Sequence, residues 1–247
     1  MNTVCYTQKQ LIGLLDLTRL NLDDTEAQIV SLCEAATTPH GNVAAVCMYP
    51  RWLPTANACL KNTNVALATV SNFPSGMLEE TVYSDEIMRA LADGAHEIDW
   101  VLPYPKLLAD DLGACEKALK RVRTLCPSTV KIKVILETGE LETDERIALA
   151  SQMAIDQGVD FLKTSTGKTK VGATLAAAEV MLNIIAKNST KSPHVGFKAA
   201  GGVRTVKDAL GYIELAARIL GEDFINAKTF RLGASQLLTE IQAHFGN

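Results

Sequence analysis

A chain of 247 residues with 47% hydrophobic and 21% charged residues can bury a substantial core, as ordinary globular proteins do. The net charge of -4 argues against the basic surface that nucleic-acid binding requires. Residues 1–10 lack the basic and apolar regions of a signal peptide, and no apolar run approaches the roughly 18 residues of a membrane span. We therefore expect a cytoplasmic protein without nucleic-acid or membrane partners.

Helical patterns alternate with short apolar runs along the chain. The helical patterns cover residues 7–15, 24–38, 52–60, 79–92, 106–125, 143–157, 174–187, 205–220 and 236–245. The first leads into DLTRL, and the later apolar runs predict strands in NVAAVCMYP, NVALATVSNFP, HEIDWVLPYP, VKIKVILETG, VDFLKTSTG, HVGFKAAGG and TFRLGAS. About eight strand–helix units with short connections indicate a parallel sheet with right-handed crossovers.

Eight such units in this length favour a closed barrel over a doubly wound sheet, and the chain has no GxGxxG motif. We therefore expect residues 1–247 to form a single α/β domain, a (β/α)8 TIM barrel with an extra N-terminal helix. Antiparallel strands with one solvated face would give similar strand patterns, although the regular alternation of strand and helix argues against them.

Neither cysteines nor histidines show the spacing of a metal site. The six cysteines, at positions 5, 33, 47, 59, 115 and 126, contain no CxxC pair, which favours free buried thiols in a reducing compartment. The four histidines, at positions 40, 96, 194 and 244, show no HExxH spacing. We expect a mechanism that uses neither a metal nor a cofactor.

Charged residues share one face of two predicted strands. With a strand period of two, Glu97 and Asp99 lie opposite Trp100 in HEIDWV, and Lys133 lies on the charged face of KIKVILE. In a barrel the apolar faces pack on the outer helices, so Trp100 would serve packing and the charged faces would point inward.

Barrel active sites lie at the carboxyl ends of the strands, where Asp16, Cys47, Asp99, Lys163 and Lys198 fall. A lysine amine can form a Schiff base, but its free pKa of about 10.4 keeps it protonated at neutral pH. Burial and a second lysine both lower that pKa, and Asp99 could relay protons. The group predicts carbon–carbon chemistry through an enamine, without deciding which lysine reacts. Seen alone, a lysine at a strand end is more often a surface group than a catalytic one.

Glycine-rich loops follow three late strands: Gly167 and Lys168 in TGK, Gly201 and Gly202 before VRT, and Gly233 and Ser235 in LGAS. With Thr205 as the N-cap of the following helix, such loops are typical of phosphate sites in barrels. They predict a small phosphorylated aldehyde or sugar as ligand.

The motifs LDLTRL, EIDWVLPY, KVILETGEL, FLKTSTGK, VGFKAAGGVRT and FRLGAS resemble, in this order and spacing, the deoxyribose-phosphate aldolase family over about residues 14–238. The resemblance implies a class I aldolase that reversibly cleaves 2-deoxy-D-ribose 5-phosphate to D-glyceraldehyde 3-phosphate and acetaldehyde. It implies that Lys163 forms the Schiff base, that Lys198 lowers its pKa, and that Asp99 acts with a water in proton transfer. A homodimer, or a tetramer, is the implied assembly.

The resemblance also implies two further sets of residues. Phosphate contacts carry over onto Gly167, Lys168, Gly201, Gly202, Arg204, Gly233 and Ser235. The residues Asp16, Thr18, Cys47 and Lys133 match positions that line the family pocket behind the reacting groups.

Two departures from the family pattern stand out. Ser235 is followed by Gln236 where many relatives have a second serine, which removes one hydroxyl contact to phosphate. The sequence ends in Phe245-Gly246-Asn247 rather than in a tail with a terminal tyrosine, so either water alone moves the enamine proton or turnover is slower.

Two other functions fit a barrel with these loops. A phosphosugar isomerase or epimerase would use a carboxylate or histidine base and form no lysine adduct. A non-enzymatic binding barrel would bind phosphate without turnover, leaving two buried lysines and an aspartate as an unexplained cost.

Overall fold

Eight parallel strands close into a barrel in the computed structural model, which describes residues 6–192 and 195–246. The strands are β1 Leu15–Thr18, β2 Ala45–Met48, β3 Ala66–Ser71, β4 Glu97–Val101, β5 Lys131–Ile135, β6 Phe161–Lys163, β7 Gly196–Ala200 and β8 Phe230–Ala234. Each pairs with its neighbours in chain order, and β8 closes on β1. The prediction of a (β/α)8 barrel is confirmed. His194, where the predicted seventh strand began, lies outside the described residues.

Helices connect the strands and surround the barrel. They are Gln8–Gly13, Glu26–Ala35, Leu53–Leu60, Glu80–Ala92, Tyr104–Leu108, Leu112–Leu125, Thr138–Leu141, Asp144–Asp156, Leu175–Asn188, Val206–Leu220 and Leu237–Phe245, with 3-10 turns at Pro50–Trp52 and Glu222–Phe224. A short hairpin of Thr37–Thr38 and Gly41–Asn42 lies between the second helix and β2. None of the helices in the described part of the chain is long and apolar enough to cross a bilayer.

Local side chains determine where several helices begin. Thr143, Thr174 and Thr205 each accept a hydrogen bond from the backbone N–H three residues further on. Such N-caps satisfy amide groups that a helix leaves without partners at its first turn. Thr7 caps the extra N-terminal helix in the same way and forms a capping box with Gln10, which confirms that helix.

One predicted helix is wrong in its extent. Residues 106–125 were expected to form one helix, but Tyr104–Leu108 and Leu112–Leu125 are separate. Asp110 has a left-handed backbone, with φ of 59°, which ends the first helix. Asp111 then accepts from the amide of Ala114 and begins the second.

Apolar side chains from the outer strand faces and the helices form the main core. Trp100 is fully buried there and meets Tyr83 edge to face, with ring centroids 5.8 Å apart, as expected of an outward-facing packing residue. A second apolar cluster lies inside the barrel, chiefly on β2 and β3; it consists of Leu20, Ala45, Cys47, Ala68 and Val70. The remaining strands place charged side chains in the interior.

Free thiols occur at five described cysteines, of which four are buried: Cys33, Cys47, Cys115 and Cys126. Cys59 is exposed, so the expectation of buried thiols is wrong for this residue. Its helix, Leu53–Leu60, buries Leu53, Ala56 and Leu60, and position 59 falls outside that buried stripe. Cys5 lies outside the described residues.

Candidate active site

Strand register brings the predicted lysines and aspartate together. Lys163 on β6 is the direct partner of Lys198 on β7, and Asp99 on β4 is the partner of Lys133 on β5. Residues paired in adjacent parallel strands point to the same side of the sheet, and here that side is the barrel interior. The interpretation of β4 and β5 as strands with an inward charged face is confirmed.

Asp99 joins the three lysines. Its Oδ2 accepts from Nζ of Lys163 at 2.7 Å and from Nζ of Lys198 at 2.7 Å. Its Oδ1 accepts from Nζ of Lys133 at 2.9 Å. All four side chains are buried, with Lys163 2% exposed and the others fully enclosed. The carboxylate therefore holds two amines of adjacent strands at a single oxygen atom.

The surroundings of the two strand-end lysines differ. Burial lowers the pKa of Lys163, Asp99 opposes that effect, and the neighbouring Lys198 lowers the pKa further. Burial also acts to lower the pKa of Lys198, but Asp16 and Asp99 outweigh it and raise that pKa. Lys163 is thus the lysine that loses its proton more readily, so the structure separates the two amines where the sequence pattern did not.

Asp99 remains ionised among these cations. Burial by itself raises the pKa of Asp99, but Lys133, Lys163 and Lys198 outweigh it and hold the pKa well below its ordinary value. Asp16 behaves in the same way, because Lys133, Lys198 and Arg231 overcome the effect of burial. Both carboxylates are acceptors of hydrogen bonds rather than carriers of a resident proton.

The ion pairs continue toward the amino ends of the strands. Lys133 also contacts Asp16, at 3.1 Å, and Glu97. Arg231 on β8 donates to Asp16 at 2.5 Å and to Glu97 at 2.9 Å. The sequence interpretation placed Glu97 on the inward face without a role, and it missed Arg231. The arginine stands in FRLGAS two residues before Gly233, and the same strand period that identified Asp99 would have placed it inside the barrel.

A cavity of about 440 Å³ opens above Lys163 at the carboxyl ends of the strands. Its predicted lining residues are Thr18, Lys163, Gly167, Lys168, Gly201, Gly202, Arg204, Gly233 and Ser235. The cavity thus brings together every residue of the three glycine-rich loops that was expected to contact phosphate. Asp16, Cys47, Asp99, Lys133 and Lys198 do not line it and lie beneath its floor.

Backbone amides face this cavity without protein partners. Among the described residues, the amides of Gly202, Val203 and Ser235 donate to no protein acceptor. Gln236, the N-cap of the last helix Leu237–Phe245, lines the cavity and makes no side-chain cap, so the uncapped N-terminus of this helix lies at the cavity. Free amides and a helix N-terminus favour an anion such as phosphate at this end.

Two glycines allow the loops to approach the site. Gly201 has a φ of +85°, and a Cβ there would lie 3.2 Å from the Cα of Gly167 in the neighbouring loop. A Cβ at Gly233 would lie 2.9 Å from Cε of Lys198 and 3.0 Å from Cβ of Ala200. A larger residue at either position would displace a glycine-rich loop or the lysine itself.

Glu137 holds the TSTG loop in place, a role that sequence reasoning missed. Its buried carboxylate accepts from the amide of Thr166 at 3.2 Å, from the hydroxyl of Thr166 at 2.5 Å and from the hydroxyl of Thr169 at 3.1 Å. Burial raises the pKa of Glu137, and the bonds from Thr166 and Thr169 act against that. Its left-handed backbone, with φ of 56°, aims the side chain at the loop, and this conformation could not be predicted from the sequence.

Four other site residues occupy less central positions. Thr18 donates to the carbonyl of Asp16 at 2.8 Å and lines the cavity. Cys47 belongs to the apolar cluster inside the barrel. The amine of Lys168 donates to the carbonyl of Leu20 at 2.6 Å across the mouth of the cavity. Gln236, which replaces the second serine, lines the cavity and presents an amide side chain there.

Known proteins resemble this chain in sequence. The family model described as DeoC/LacD family aldolase matches residues 10–239. A curated relative from Agrobacterium fabrum, named deoxyribose-phosphate aldolase, is 46% identical over 231 residues, which make up 93% of this chain and 88% of the relative.

Solved structures share the barrel. A candidate deoxyribose-phosphate aldolase from Coccidioides immitis is 28% identical, with a TM-score of 0.85 over 98% of this chain and 88% of that one. The deoxyribose phosphate aldolase of Aeropyrum pernix, which has a tetrameric structure, is 24% identical with a TM-score of 0.79, covering 98% of this chain and 93% of its own. At 24% identity that likeness supports the fold alone.

Proposed function

The chain belongs to the DeoC/LacD family of aldolases, and from that premise we propose that it is a class I aldolase acting through Lys163. It reversibly cleaves 2-deoxy-D-ribose 5-phosphate to D-glyceraldehyde 3-phosphate and acetaldehyde. One observation carries the proposal: Lys163 lines the floor of a cavity walled by three glycine-rich loops and has a lowered pKa. A buried amine that loses its proton readily is a nucleophile for a carbonyl group.

The reaction begins at the aldehyde of the open-chain sugar phosphate. The unprotonated Nζ of Lys163 adds to C1, and loss of water from the carbinolamine gives an imine. Asp99 holds Nζ of Lys163 and the ammonium of Lys198 at the same oxygen, so a proton can pass between these groups and a water as the hydroxyl leaves.

Carbon–carbon cleavage follows from the imine. The protonated imine accepts the electron pair of the C2–C3 bond as the proton of the C3 hydroxyl leaves, which releases glyceraldehyde 3-phosphate and leaves a two-carbon enamine on Lys163. Protonation of the enamine carbon and addition of water then release acetaldehyde. Asp99 is ionised in the resting site because its pKa is lowered, so it can accept a proton transiently from Nζ or from a water and pass it on.

Phosphate anchors the substrate at the far side of the cavity. Amides of the loops that contain Gly202 and Ser235, the N-terminus of the last helix and the cations Lys168 and Arg204 surround this region. Anchoring C5 through its phosphate would place C1 near Lys163, because both groups line one cavity. Asp16 and Lys133 lie behind the reacting groups and fix their positions.

The same proposal extends to organisation and assembly. Residues 1–247 form one catalytic domain, and the protein works in the cytoplasm as a homodimer. Family resemblance supports the dimer, while the Aeropyrum pernix relative is tetrameric. Light scattering coupled to size-exclusion chromatography would give the mass directly, and a monomer at micromolar concentration would contradict this part.

Borohydride trapping tests the function. Incubation with acetaldehyde and borohydride should add one ethyl group to the wild-type protein, and peptide mapping should place it on Lys163. The Lys163→Ala variant should remain unmodified and inactive, whereas Lys61→Ala, a change at an exposed surface lysine, should be trapped like the wild type. A wild-type protein that stays unmodified contradicts the proposal and favours an isomerase or a binding barrel.

A further inference from the structure

Seven charged side chains fill one part of the barrel interior, and the cations outnumber the carboxylates by one. The cations are Lys133, Lys163, Lys198 and Arg231, and the carboxylates are Asp16, Glu97 and Asp99. None is more than 4% exposed. An uncompensated charge in a buried site is costly, so release of one proton from a lysine brings this interior to neutrality.

Contacts determine which lysine releases that proton. Lys133 contacts three carboxylates and Lys198 contacts two, whereas Lys163 contacts only Asp99. Each carboxylate contact stabilises the protonated amine. Deprotonation of Lys163 therefore weakens the fewest carboxylate contacts, and Lys163 is also the lysine that lines the cavity.

Arg231 is the cation of the group that cannot lose its proton. A guanidinium stays protonated in proteins, so it always neutralises one negative charge of the carboxylates. Its two terminal nitrogens contact Asp16 at 2.5 Å and Glu97 at 2.9 Å. Arg231 lies near the start of β8 and lines a cleft at the amino ends of the strands, away from the cavity above Lys163.

We propose that Arg231 is a positioning residue that controls the protonation of Lys163. From the opposite end of the barrel it neutralises one carboxylate charge of the group, which leaves Lys163 unprotonated and reactive. Without the arginine, three lysines would face three carboxylates, and all three lysines would keep their protons. The inference rests on the proposed function, in which Lys163 is the nucleophile.

Other titratable groups around Lys163 do not alter this balance. Burial raises the pKa of the Cys47 thiol on β2 to about 11, so the thiol is neutral at neutral pH. The strand β3 has no titratable side chain. Burial raises the pKa of Glu137, beyond β5, and Lys163 is near enough to act against that, but the carboxylate binds Thr166 and Thr169 and forms no ion pair with a lysine of the group. Lys168, at the mouth of the cavity, donates to a backbone carbonyl and would be unchanged in every variant below.

The test is the pH dependence of borohydride trapping and of kcat/KM in Arg231→Met. Unit charges about 10 Å apart at an effective dielectric constant of about 20 shift a titration by about one pH unit. Loss of the cation should therefore move the acid limb of both profiles to higher pH by about one unit. At a pH below the limb, trapping should slow about tenfold, and at high pH it should return toward the wild-type rate.

A compensating variant separates charge balance from structural damage. Arg231→Met combined with Glu97→Gln leaves three lysines facing two carboxylates, which restores the surplus of one cation. Its acid limb should return to the wild-type position or below. Arg218→Met, the same change at an exposed ion pair with Glu179, should leave the limb in place. If Arg231→Met does not fold, Lys133→Met can replace it. It removes a different cation, leaves three cations and three carboxylates, and should also move the acid limb to higher pH.

The outcomes distinguish the two proposals. A wild-type protein that forms no adduct overturns the proposed function itself. A wild-type protein that forms the adduct, with an acid limb that stays in place in both Arg231→Met and Lys133→Met, overturns only the charge-balance inference. A limb that rises in Arg231→Met and stays raised in the double variant also overturns it, because charge balance requires recovery.

Discussion

Replacing Lys198 by methionine removes a buried ammonium group that shares one carboxylate oxygen with Lys163. Both nitrogens lie 2.7 Å from Oδ2 of Asp99, so they are separated by no more than twice that distance. Methionine has a similar length without charge and fills most of the vacated space. Asp16, the other partner of Lys198, keeps its contacts with Lys133 and Arg231, so the variant leaves no carboxylate without a cation.

Electrostatics sets the size of the expected effect. Two unit charges about 5 Å apart at an effective dielectric constant of about 20 interact with about 3 kcal/mol, which corresponds to about two pH units. Lys198 lowers the pKa of Lys163, so its removal raises that pKa. Because the nucleophile must be unprotonated, the acid limb of kcat/KM should move to higher pH, and activity below that limb should fall about 100-fold.

The assay compares pH profiles of deoxyribose 5-phosphate cleavage and of borohydride trapping for wild type, Lys198→Met and Lys198→Arg. Lys198→Arg keeps the positive charge and should show a limb near the wild-type position, even if altered geometry reduces its maximum rate. A Lys198→Met profile that is lower at every pH with an unmoved limb would refute the electrostatic reasoning and assign Lys198 to proton donation alone.

Further predictions concern packing, phosphate and acid stability. Gly233→Ala should push on the side chain of Lys198, 2.9 Å from the new Cβ, and reduce kcat/KM at least tenfold while thermal unfolding shifts by the equivalent of about 1–3 kcal/mol. Trp100→Ala should destabilise the protein by about 3–5 kcal/mol in urea titrations without moving the pH profile, because Trp100 packs on the outer side of the barrel. Arg204→Met should raise KM about tenfold for deoxyribose 5-phosphate but not for unphosphorylated deoxyribose. Asp16 has a folded-state pKa well below its ordinary value, so it stabilises the fold above about pH 4 and loses that contribution as the pH falls further. In Asp16→Asn the free energy of unfolding should therefore decrease less steeply below about pH 4 than in the wild type.

Local patterns in the sequence were sufficient for most elements. The strand segments around Asp99 and Lys163 follow from apolar runs of strand length, and the helix starts at Thr143 and Thr205 follow from N-cap residues. These signals act over a few residues, so the chain displays them directly. The break at Asp110 was missed because a single left-handed residue leaves the helical periodicity of residues 106–125 almost unchanged.

The site was predicted in part for the same reason. Glycines and lysines at strand ends identified the cavity lining, since a barrel gathers its strand ends at one mouth. The role of Glu137 was missed because its position depends on a left-handed backbone, which has no pattern that a single sequence reveals. Arg231 was also missed, although the strand period would have placed it inside the barrel.

The sequence by itself determined the barrel, its strand-end lysines and the glycine-rich loops, because each depends on short-range periodicity and residue type. Only the tertiary structure decided which charges meet. Arg231 and Asp16 are 215 residues apart in the chain, and Lys198 and Asp16 are 182 apart. Closure of β8 on β1 makes these pairs neighbours, and the count of cations against carboxylates around Lys163 exists only once the barrel has closed.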